Sequence, residues 1–244
     1  MKKSFIIAAV CTVLFASCKF EINGGAIIEP SSNIVKNEYK LAKFDKLDID
    51  VVANVKFIQG QENDYRVVLS CPDNYVDLFD FVVEHDGELN IDFKRDKVNI
   101  SAQNVDITVY SPGLKRLENS GVASVEIDKL NAYELEVDNS GVGGIYISGL
   151  EVKQLEADCS GVGNIELAGV AQQAELDCSG VGSIKAGDLK ATRVKADVSG
   201  VGGITCNATE RIEAEVSGVG SLKYTGQPHE KQLQRTGVGD ITEF

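Results

Sequence analysis

From residue 120 to the last residues, the chain repeats one phrase, Ser-Gly-Val-Gly, and little else it could fold into survives that constraint. The copies begin at Ser120, Ser140, Ser160, Ser179, Ser199, Ser217 and Thr236, so successive spacings are 20, 20, 19, 20, 18 and 19 residues. A period in this range means one supersecondary unit per repeat, stacked on its neighbours to share a core that no single repeat can bury. Alternating apolar and polar residues inside each repeat make that unit a coil of β-strands, and the fold class is an all-β parallel solenoid of about 18–20 residues per coil.

Aligned on the Ser, the repeats resolve into columns. Val122, Val142, Val162, Val181, Val201, Val219 and Val238 fill one, and Val125, Ile145, Ile165, Ile184, Ile204, Leu222 and Ile241 another. A third runs from Leu117 and Val137 to Leu233. All three are expected to point inward, each buried branched side chain contributing roughly 1.5–3 kcal/mol. The glycines are expected at corners whose backbone angles other residues avoid, and the serines could bond in a hydroxyl ladder. A phosphate loop is excluded, because neither a Lys-Ser/Thr nor a helix-like segment follows the glycines.

One outward column is acidic. Asp138, Asp158, Asp177 and Asp197 stack between Glu118 and Glu215, and at about 5 Å neighbouring charges repel by roughly 1 kcal/mol in water and about 3 at an effective dielectric of 20. Two readings stand: a solvated face, or a ribbon that binds a hard cation such as calcium through those four aspartates. No other cofactor and no catalytic residue is expected. The formal net charge of −13 argues against nucleic acid, which demands a basic surface.

Lys2 and Lys3, the apolar run Phe5 to Phe15 and Ala16-Ser17 before Cys18 read as an export signal. Leu14-Phe15-Ala16-Ser17-Cys18 resembles a bacterial lipobox, with Phe15 where Leu is usual. That resemblance implies removal of residues 1–17 and a lipid on Cys18. Of the six cysteines, Cys71, Cys159, Cys178 and Cys206 then remain in the domain, where they read as free buried thiols. Residues 18–40 read as a tether, with an N-terminal capping strand as the alternative. The domain spans 41–244, with irregular strands before the regular repeats begin near 114. Pro72-Asp73-Asn74 opens a short helical stretch, and His85-Asp86-Gly87 reads as a hairpin turn.

Phe44-Asp45-Lys46-Leu47, Val55 to Gly60, Gly87 to Ile91, Val105 to Val109 and Leu114 to Leu117, leading into Ser-Gly repeats, resemble the putative auto-transporter adhesin, head GIN domain family. The resemblance covers about 41–244. It implies a right-handed parallel β-helix in an exported lipoprotein of Bacteroidetes-type bacteria, lipid-anchored in the cell envelope, with the outer membrane as the expected site. It supplies no catalytic residues. The functional reading is a non-enzymatic adhesin-like or scaffold module presenting flat faces to glycan, protein or cell-wall ligands. The alternative is a calcium-dependent polysaccharide lyase, which would need long loops around a cleft, whereas every repeat here is 18–20 residues long. In the final repeat Lys231 and Arg235 fall on inward columns, so that coil must open to solvent or lie under a cover such as Phe244. It is expected to block end-to-end polymerisation and leave a monomer or small oligomer.

Overall fold

The computed structural model describes residues 27–95, 98–101 and 103–244. Cys18 and the export signal lie outside these residues. The described residues form a parallel β-solenoid of about six turns, 67% of them in strand and 3% in helix.

Its first coil in sequence is not the first in space. Strands β2 (Lys46–Ile49) and β3 (Val52–Gln59) form one coil, and β6 (Glu88–Phe93) with β7 (Asp106–Ser111) form the next. A third follows in β8 (Arg116–Asn119) and β9 (Val122–Ile127). Yet β2 pairs with both β6 and β8, and β3 with both β7 and β9, so the β2–β3 coil is sandwiched between two later ones. The excursion leaves through β4 (Arg66–Pro72), a 3₁₀ turn at Asp73–Leu78 and β5 (Phe79–Val83), which cover the N-terminal end. Here β4 lies antiparallel on β7, β5 antiparallel on β6, and β1 (Ile34–Lys40) antiparallel on β4. The expected tether is therefore shorter than 18–40, because Ile34–Lys40 is the capping strand of the alternative reading. Gly87 makes the turn between β5 and β6 at φ 81°, as its position after Asp86 predicts.

The regular array follows in β10 (Leu130–Asn139), β11 (Val142–Cys159), β12 (Val162–Cys178), β13 (Ser183–Val198) and β14 (Gly203–Val216). It closes with β15 (Ser221–Thr225), β16 (Glu230–Arg235) and β17 (Ile241–Glu243). Each strand pairs in parallel with its counterpart one coil on, with Val137 on Ala157, Ile145 on Ile165 and Asp158 on Asp177. The Ile column from Val125 to Leu222 is fully buried, as is the column from Leu117 to Ala214.

The valine column is not. From Val142 to Val238 its side chains are 42% to 76% exposed. Ser and Val flank an enclosed Gly at each corner, and strand alternation therefore throws both of them outward. Leu233 is also outside, at 44%. The glycines answer to a different cause from the one expected. In the Ser-Gly-Val-Gly copies only Gly143 has a positive φ, of 128°. A Cβ on Gly141, Gly161, Gly182 or Gly202 would instead stand closer than 3.0 Å to a carbonyl oxygen of the coil beneath. What excludes a side chain is backbone stacked on backbone. Corners are joined by main-chain bonds such as Gly141 N–H to Asn119 O (2.9 Å) and Val142 N–H to Gly121 O (2.8 Å), and no Ser-to-Ser ladder forms among the described residues.

Where the residue before the Ser or Thr is not a valine, its side chain reaches across the corner. Asn139 Nδ2 donates to Gly143 O (3.3 Å), Cys159 Sγ to Gly163 O (3.4 Å), Cys178 Sγ to Gly182 O (3.5 Å) and Arg235 Nη1 to Gly239 O (3.1 Å). Three side-chain types perform one task, which is to satisfy a carbonyl at the bend. Cys71, Cys159, Cys178 and Cys206 are free and buried. Burial pushes the Cys71 thiol up to about 11 and Cys206 up to about 12, while a hydrogen bond to Cys178 and burial together raise Cys159.

Candidate functional site

Where each regular coil bends into the strand that ends in Ser-Gly, an open groove of about 1280 Å³ runs along the solenoid axis. Its floor is the nearly buried column Leu135, Leu155, Ala174 and Val194. One wall is Glu134, Gln154, Gln173, Arg193, Arg211 and Glu230, in register on successive coils. The other carries Arg116, Glu136, Glu156, Glu175, Lys195 and Glu213. At the usual strand spacing the first wall extends about 24 Å.

Most charges in the groove are already matched. Arg116 pairs with Glu118 (2.9 Å) and Glu136 (3.4 Å), Lys195 with Glu175, and Arg211 with Glu213 (3.5 Å) and Glu230 (3.3 Å). The middle is different. The side chains of Gln154, Gln173, Arg193 and Glu156 make no hydrogen bond or ion pair among the described residues, and all four are exposed. Four groups with donor and acceptor capacity unspent thus sit together on adjacent coils. Sequence reasoning missed them because the signal, a polar residue column beside an inward one, resembles any solvated face.

The acidic column lies beside this groove. Asp138, Asp158, Asp177 and Asp197 are in register, as expected, and all are half-buried. Burial first, and then the neighbouring carboxylates, raise Asp138 and Asp177 above the ordinary range. One oxygen of Asp138 is enclosed without a hydrogen-bond partner. The four stand in a line rather than around a point. Among the described residues no group of three or more His, Cys, Asp or Glu side chains converges as a metal site.

At the last coil, Lys231 sits in register on the inward Ile212 and Arg235 on Val216. Neither is buried. Lys231 Nζ reaches Glu243 at 2.7 Å and stands 5.5 Å from the centre of the Tyr224 ring, and Arg235 reaches Asp240 at 2.9 Å. Phe244 is 66% exposed and does not cover them. No helix among the described residues is long and apolar enough to cross a membrane.

Comparison with solved structures agrees with this architecture. A putative adhesin from Bacteroides fragilis is 38% identical, with 89% of this chain and 100% of that chain covered and a TM-score of 0.85. A putative lipid binding protein from Parabacteroides distasonis is 22% identical over 90% of this chain and 100% of its own, with a TM-score of 0.75. A putative adhesin from Parabacteroides merdae is 20% identical with the same coverages and a TM-score of 0.66. At these last two identities the likeness is one of fold. No protein with a curated description matches the chain. The family model described as putative auto-transporter adhesin, head GIN domain matches residues 43–228, and the chain belongs to that family.

Proposed function

We propose that this protein is a non-enzymatic, adhesin-like module of the cell envelope that binds an extended glycan along the axial groove. The observation that carries this reading is the unspent set Gln154, Gln173, Arg193 and Glu156 on adjacent coils. A ligand lying along the axis crosses the strands and cannot pair with a sheet edge, so side chains alone must recognise it. Hydroxyls both donate and accept, and a run of them matches a wall of amides and a guanidinium facing a carboxylate. The name of the 38% identical structural neighbour, a putative adhesin, agrees with a binding role.

In the same reading, Cys18 carries a lipid that holds the domain at the outer membrane. The stacked Asp138, Asp158, Asp177 and Asp197 gather calcium loosely as a counter-ion. Binding is tested by titrating a panel of polysaccharides against the full chain, with product detection. Retained affinity without cleavage is expected, with a loss on the order of tenfold in Arg193→Ala or Gln173→Ala. No binding to any glycan would remove the reading, and accumulation of unsaturated products would replace it with a lyase. Mass spectrometry of the N-terminus and fractionation of Cys18→Ala test the anchor.

A further inference from the structure

The strand β5 is an open sheet edge of unusual composition. It pairs on one side with β6 and has no strand partner on the other among the described residues. The bonds Glu84 N–H to Glu88 O (2.8 Å) and Lys94 N–H to Leu78 O (2.8 Å) fix the ladder, so even-numbered residues turn their main-chain groups toward β6. By alternation, Phe79, Phe81 and Val83 turn theirs to the open side. The Phe81 N–H is met only by Asp80 Oδ1, at 3.1 Å. The segment before β1 does not cover this edge. Its bonds run from Ile28 to Asn99 and Tyr75, from Glu29 to Asn74, and from Asn33 to Asp73, stopping at the 3₁₀ turn.

Natural edge strands are usually blunted by Lys, Pro or a bulge. The other edge at this end, β1, has Lys36 and Lys40 exposed on it. In contrast, β5 reads Phe-Asp-Phe-Val-Val, without a basic residue or proline, and Val82 is 42% exposed.

We propose that β5 is a homodimerisation edge that pairs antiparallel with β5 of a second copy about a two-fold axis at Phe81. The strand is complementary to itself in that register. Phe81 faces Phe81 of the partner subunit, Phe79 faces Val83 of the partner subunit, and Asp80 faces Val82 of the partner subunit. Each open-side N–H then donates to a C=O of the partner subunit and each open-side C=O accepts from one of its N–H groups, forming about six hydrogen bonds from three pairs. Aromatic and branched side chains meet on the inner face, which favours cross-strand pairing. No like charges are placed opposite each other. The contact is isologous and closes at two subunits, leaving the groove, which lies on later coils, free in both.

Sedimentation equilibrium of the full chain in density-matched non-ionic detergent tests this. The weight-average mass should rise with concentration toward twice that of the monomer. Val82→Asp sets a carboxylate against Asp80 of the partner subunit in two places, and should weaken association at least tenfold. Val82→Lys sets an ammonium there, and should associate as tightly as the wild type or more so. Both changes are on an exposed side chain, and unchanged circular dichroism verifies folding. A wild type that stays monomeric at every concentration overturns the proposal. So does a pair of variants that both associate like the wild type, because the contact would then lie elsewhere.

Discussion

The two ends of the solenoid face the same problem, an open core with unpaired strand edges, and close it by opposite means. The N-terminal end is covered by an antiparallel layer and plugged with rings: Phe79 packs on Phe93 at 5.2 Å between centroids, and Tyr39 on Phe81 at 4.9 Å. Tyr75 is fully buried beneath it, its hydroxyl bonded to Ile28 O at 2.6 Å. The C-terminal coil has no such layer. It turns Lys231 and Arg235 toward the inward columns and pairs them with Glu243 and Asp240 in solvent. Apolar closure stabilises by area and is not subject to charge screening, whereas exposed pairs contribute little and are screened by salt. A charged last coil is expected to deter pairing at its edge while adding little stability. A tail-to-tail pairing that aligned the inner faces about Leu233 would set Lys231 against Arg235 of the partner subunit, a repulsion with no counterpart at β5.

Substitutions can break this contrast. The largest effect is expected at the N-terminal plug, which Phe79→Ala empties at a cost of about 3–5 kcal/mol in urea denaturation. Leu233→Ala at the other end should change stability far less. Next comes the shared scaffold, where Gly182→Ala places a methyl against the backbone of the preceding coil and should cost about 1–3 kcal/mol. Gly113→Ala, with nothing within 4 Å of its new Cβ, should be near neutral in the same assay. Replacing Lys231 with Ile and Arg235 with Val should leave stability nearly unchanged and promote association in light scattering. A double variant as dispersed as the wild type would show that the charges do not protect that edge.

A smaller effect separates the acidic column from both ends. Asp48, Asp138 and Asp177 are raised by burial first and then by adjacent carboxylates, so the folded state holds their protons more tightly than the unfolded chain does. Stability from these groups therefore grows as pH falls from neutrality through their folded values, and is complete below the ordinary value near 4. Asp73, lowered by Ser31 and Asn33, and Asp86 and Glu243, lowered by Lys46 and Lys231, act oppositely. Their contribution is lost only as pH falls from the ordinary range through their own depressed values. The melting temperature should peak in mild acid, and Asp138→Asn should flatten the rise. Smallest of all, millimolar calcium should raise the melting temperature slightly at pH 7, and less in Asp158→Asn.

How much of this was legible in the sequence depended on how local the cause was. The period, the Ile column and the Asp86-Gly87 turn follow from spacing and residue type alone. The valines misled because an invariant branched residue suggests a core, whereas corner parity turns it out. The glycines were recognised, but their cause, the carbonyl of another coil, is invisible to a backbone-angle argument. Nothing in residues 46–59 shows that their coil lies between two later ones, since any coil of this pattern fits beside any other. Likewise the groove depends on a bend between columns, and the residues that line it, Gln154 and Arg193 among them, look like ordinary surface.

Native-state hydrogen exchange at low and high salt tests the contrast between the ends most directly, because it reads each strand separately. Amides of β16 and β17 should exchange faster at high salt as the Lys231 and Arg235 pairs are screened, while those of β6 and β7, behind the Phe79–Phe93 plug, should not change. Equal salt response at the two ends, or none at β16 and β17, would contradict it.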